Sequence, residues 1–163
     1  MEYTLIELLQ QNIQTLENLK TVLEDQRKNV MFSNVELFIN SIKEEELLLS
    51  TLEKQNINYF KIVGKISAEF KLFGKKKVSE IIDYLPENEK IKTKVLSKKV
   101  KRLWVEVNSK ILENRVLIKK SYTLISKSLT AFKEYTGMNT TYGLSGNYSN
   151  FNQPVKRLVD RNI

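Results

Sequence analysis

Three stretches of the chain hold residue types that do chemistry elsewhere. Gly64-Lys65-Ile66-Ser67 has the lysine of a phosphate-binding loop, but Tyr59 stands where the upstream glycine is needed and Ile66 replaces the metal-binding hydroxyl. It reads as a helix passing through a glycine. Glu44, Glu45 and Glu46 are three adjacent carboxylates, yet successive helical residues splay over about 200° and do not converge on one ion. From Lys90 to Arg102 seven of thirteen residues are basic, a stripe able to neutralise phosphates. No aromatic residues interleave to stack bases, so a solvated basic face is the plainer reading.

Composition closes most catalytic routes. The 163 residues include no histidine and no cysteine, which removes Ser-His-Asp and Cys-His catalysis, disulfides and the common zinc sites. Neither an enzyme nor a cofactor protein is expected, and no metal site. The start, Met1-Glu2-Tyr3-Thr4, lacks a basic n-region and an apolar core, so a cytoplasmic protein without membrane insertion is expected. Charge is unevenly spread. Residues 1–60 hold 5 Lys/Arg against 10 Asp/Glu, a balance of −5, and residues 61–163 hold 22 against 9, a balance of +13. Such a split points to a basic partner-binding half or to nucleic-acid contact.

What remains is binding chemistry. Trp104, Ile111, Ile118, Ile125 and Phe132 recur every seven residues, the mark of a helix lying along a partner. Val100 and Val107 begin a companion position that Asn114, Ser121 and Ser128 continue. The apolar surface therefore drifts sideways, through Leu117, Leu124 and Ala131. This reading places Trp104 at the hub of the core, opposite Leu16 or Leu19. Ile118, Tyr122, Ile125, Leu129 and Phe132 exceed what two shorter helices can cover, so they are the candidate partner-binding surface. Thr140 to Ile163 is rich in Asn, Ser, Thr and Gly, with Tyr142 beside Gly143. Aromatic residues in such a polar tail are how linear docking motifs look.

The elements that position these residues follow from pattern. Leu5, Leu9, Ile13, Leu16, Leu19 and Leu23 line one face of a first helix, Thr4 to Met31. Ser33-Asn34-Val35-Glu36 fits a capping box that opens a second helix carrying Phe38, Ile42, Leu49, Leu52, Tyr59, Val63 and Ile66. A loop at Gly74-Lys75-Lys76-Lys77 precedes a short helix, Val78 to Tyr84. Pro86, Glu87 and Glu89 then begin a third long helix, near 70 Å long, that ends at Tyr135 before a Gly137 stop. The expected fold class is all-α: an elongated antiparallel helical bundle or coiled coil of three long helices and a short one. It carries a flexible C-terminal tail, with a helical domain over 1–136 and a docking tail over 137–163.

This arrangement resembles the FlgN-type flagellar export chaperones. The resemblance rests on Leu5 to Phe60, on roughly Leu103 to Phe132, and on Thr140, Tyr142, Gly143 and Gly146 as Thr-x-Tyr-Gly-x-x-Gly. The stretch from Ile66 to Leu96 is longer and more basic than that pattern. The resemblance implies a cytosolic, non-enzymatic chaperone of hook-associated (hook–filament junction) proteins. It further implies that the third long helix holds the client's C-terminal region and that Tyr142 and Gly143 dock the complex on the cytosolic domain of the large export-gate membrane protein. An unused apolar stripe also leaves a homodimer of the client-free protein open. The alternative reading from the residues alone is a basic helical nucleic-acid-binding protein.

Overall fold

The computed structural model describes residues 4–71 and 78–136, and every element among them is helical. Contacts divide the chain into one unit of Met1–Leu117 and another of Ile118–Ile163.

Helix α1, Leu5–Met31, starts at a capping box that the hydrophobic pattern does not announce. The Thr4 hydroxyl accepts from the Glu7 amide at 3.2 Å, and the Thr4 amide donates to the Glu7 carboxylate at 2.9 Å. Helix α2, Val35–Glu69, is capped by Asn34 rather than Ser33, whose side chain was the expected cap. Ser33 has φ 56°, the left-handed conformation that turns the chain between the helices. The side chain of Asn34 is then the one placed to accept from the Leu37 amide, at 3.3 Å. Helix α3, Val78–Ile81, and a 3-10 turn, Ile82–Tyr84, match the expected short helix. Helix α4 runs from Glu87 to Thr136, with the Pro86 carbonyl accepting from the amides of Glu89 and Lys90. The loop expected at Gly74–Lys77 and the stop at Gly137 lie outside the described residues.

Within the first unit, α1 is the central helix. Its leucines at 5, 8, 9, 16, 19 and 23 are buried. Near its start they meet Val63 of α2 and the buried pair Ile81 and Ile82. Farther along they meet Leu103 and Val107 of α4, with Leu48 and Leu52 of α2 packed alongside. α2 returns antiparallel to α1, whereas α4 runs parallel to it. The direction is fixed by four ion pairs in ascending order: Glu17–Lys99, Lys20–Glu106, Glu24–Lys110 and Arg27–Glu113, at 2.8 to 3.0 Å. The pairs alternate in sign, two acids and two bases of α1 each meeting the opposite charge on α4.

The helix face that α4 buries differs from the one expected. Trp104 is 44% exposed, whereas Leu103 is buried and Val107 fully so. The inward line is Thr93, Val100, Val107 and Asn114 at seven-residue spacing, all buried except the half-buried Val100, with half-buried Leu96 and buried Leu103 between them. It is the companion position, and Asn114 continues it rather than interrupting it. The Asn114 amide donates to the Leu23 carbonyl at 2.7 Å and to Gln26 Oε1 at 3.4 Å. Gln26 Nε2 in turn donates to the Glu45 carboxylate of α2. A polar layer therefore crosses all three helices, and hydrogen bonding is what lets it be buried.

Candidate binding surfaces

In the second unit α4 presents Ile118, Tyr122, Ile125, Leu129 and Phe132 to solvent, along with Leu124 and Tyr135. The first five alternate at spacings of four and three, so they share one face of the helix. Tyr122 is 72% exposed and Ile125 60%. An apolar row of this length on one helix face makes it a candidate interaction surface. The structure thus brings all five candidate client-binding residues together. Tyr142 and Gly143 lie outside the described residues.

The first unit carries a second surface, which the sequence pattern did not flag. A groove of about 570 Å³ opens between α2 and α4 above α1. Leu9 and Leu16 form its floor, and Leu52, Val100 and Trp104 form its walls. Trp104 is half-exposed because its ring stands in this wall instead of in the core. Tyr59 also borders the groove, and burial pushes its phenol above the ordinary value. In the floor, the Asn12 side-chain oxygen is buried and accepts no hydrogen bond. The clue available in sequence was the 3-4 row Val35, Ile39, Ile42, Glu46, Leu49, Glu53 along α2, broken by acids and so easily passed over.

The basic stretch is partly committed within the fold. Lys99 pairs with Glu17, Lys90 with Asp83 at 3.3 Å, and Arg102 with Glu106 at 3.6 Å. Gly64 lies in mid-helix with open space around it, as expected of a helix passing through a glycine. No group of three His, Cys, Asp or Glu able to hold a metal occurs among the described residues. Nor, among them, is any helix long and apolar enough to cross a membrane.

The family model described as FlgN protein matches residues 1–150. No curated protein and no solved structure matches the chain.

Proposed function

The chain belongs to the FlgN family of flagellar export chaperones, and from that premise we propose a division of labour along α4 and the residues after it. The chaperone works in the cytosol without catalysis or cofactor. It holds the C-terminal region of a hook–filament junction protein on Ile118, Tyr122, Ile125, Leu129 and Phe132. Tyr142, with Gly143 to let the chain turn, then docks the loaded complex on the cytosolic domain of the export gate. When no client is bound, the same apolar face pairs with a second copy.

The observation that supports this reading is the exposed row itself. The client's own assembly helix is apolar, and a borrowed apolar face covers it until export. Burying five such side chains supplies roughly 1.5–3 kcal/mol each before the cost of association. Ile125→Asp tests the reading directly. It places a charge in the middle of the row, and binding to the purified client region is expected to be lost while the far-UV helix signal stays. Unfolding of the variant would instead identify the row as core.

A further inference from the structure

The groove of the first unit has lips of opposite charge. Glu53 borders it from α2 and Lys101 from α4. Seven residues earlier on each helix the same face carries Glu46 and Lys94, which extend the two lips past opposite ends of the groove because α2 and α4 are antiparallel; all four side chains are exposed. Among the described residues none of the four forms an ion pair. The cations on the other flank of α4, by contrast, are tied to α1 through Lys99 and Lys110. The groove thus keeps an acidic lip and a basic lip apart, over an apolar floor. Its α2 wall, Leu49 to Tyr59, is about 15 Å long, two to three helical turns.

Three helices flanking such a groove make an incomplete four-helix arrangement. We propose that the groove receives one amphipathic helix of the exported client, its acidic flank against Lys94 and Lys101 and its basic flank against Glu46 and Glu53. This rests on the chaperone reading above, and adds to it a second grip on the client. A donor on the docked helix would also satisfy the Asn12 oxygen. The exposed Ile118–Phe132 face of a second copy is a poorer occupant. Lys119, Lys120 and Lys127 flank it, and Glu134 is the sole acid from 118 to 136, so it sets cations against the basic lip. Turning a helix end for end exchanges its flanks, so the lips also fix the direction in which the client lies.

Trp104 is the sole tryptophan and stands in the wall, so its emission reports occupancy. The full chain is titrated with a tryptophan-free synthetic peptide of three heptads, leucine at its core positions, Glu along one flank and Lys along the other. A saturable blue shift is expected, weaker for a peptide with Lys on both flanks. Lys101→Glu, at an exposed position, should weaken the mixed peptide about ten-fold. Exchanging the signs of both lips, with Glu46→Lys, Glu53→Lys, Lys94→Glu and Lys101→Glu together, should restore binding, because the peptide then lies the other way round. The client's C-terminal region should displace the peptide. Absence of a shift, or equal binding by the all-Lys peptide, overturns the groove. A blue shift on concentrating the protein alone makes a second copy the occupant and overturns the client assignment. A client that binds without displacing the peptide refutes the groove as its site while the chaperone reading stands. A client that does not bind at all sinks the chaperone reading together with the assigned occupant, and the peptide still judges the groove's chemistry.

Discussion

A buried amide costs free energy unless its polar atoms are matched, and Asn114 is matched by Leu23 and Gln26. Asn114→Ala removes the donor and leaves Gln26 Oε1 without it, so a loss of about 1–3 kcal/mol is expected in urea denaturation. Gly64 is the opposite case. A methyl group there meets nothing, and Gly64→Ala should stabilise the chain by about 0.5–1 kcal/mol through helix propensity. The Lys20–Glu106 pair sets a pH signature. The hydrogen bond from Lys20 holds the Glu106 carboxyl below its ordinary value, and the same bond raises Lys20. The Glu106 contribution is present above the ordinary carboxylate value and is lost as pH falls through the lowered one. The Lys20 contribution is present below the ordinary lysine value and is lost as pH rises through the raised one. Titration of Glu106 by NMR should give a depressed midpoint, and Lys20→Met should return it towards the ordinary range. Single-residue chemistry was the least legible level of the sequence. A polar residue in a heptad position is read as an interruption unless its buried partners, ninety residues away, are known.

At the scale of elements, the helices and their ends were largely written in the pattern. Periodicity finds α1 and α2, proline and acids find the start of α4, and the short helix before it is also found. What periodicity left undecided was which of two adjacent seven-residue rows on α4 turns inward. The row with the larger side chains, led by Trp104, was the stronger pattern, yet the row of Val100 and Val107 packs on α1. Size favours neither choice by itself, because close approach to a leucine-rich helix suits the smaller valines and leaves the wide indole at the edge. The two rows are separable by substitution. Leu103→Ala should cost roughly 2–5 kcal/mol, as for a buried leucine. Trp104→Ala should cost no more than about 2 kcal/mol, well short of a buried tryptophan. Thermal denaturation of the pair decides between them, and a larger loss at Trp104 would reinstate it as the hub.

For the molecule as a whole, the proposed functions fall on separate residues and should therefore fail separately. Tyr142→Ala is expected to leave stability and client affinity unchanged while weakening capture of the loaded complex by the gate's cytosolic domain. Equal capture of wild type and variant in a pull-down with client present would refute gate docking by this tyrosine. Ile125→Asp has the complementary phenotype, losing the client first. Light scattering of the client-free protein at rising concentration checks the homodimer, which the same Ile125→Asp change should disperse. The functional class was legible because the tail signature and the helix order were read together. The groove was not, since its lips come from helices more than forty residues apart in sequence and its charges mean little until the two edges face each other.

The four ion pairs between α1 and α4 have a consequence for how the chain avoids a wrong alignment. A heptad row is nearly indifferent to sliding by one repeat, because apolar positions meet apolar positions again. The signs along α1 alternate, acid at 17, base at 20, acid at 24 and base at 27, and α4 answers with the reverse order. Advance α4 by seven residues and Glu106 arrives beside Glu17. Retract it by seven and Lys99 arrives beside Lys20. The advance keeps a single attraction, Lys20 with Glu113, and the retraction keeps two, Glu17 with Lys92 and Arg27 with Glu106, so neither matches the four pairs of the native alignment, though each correct pair, half-exposed at the surface, contributes little stability. The ladder acts as a parity check on a repetitive sequence, because the native alignment alone of the three matches every rung.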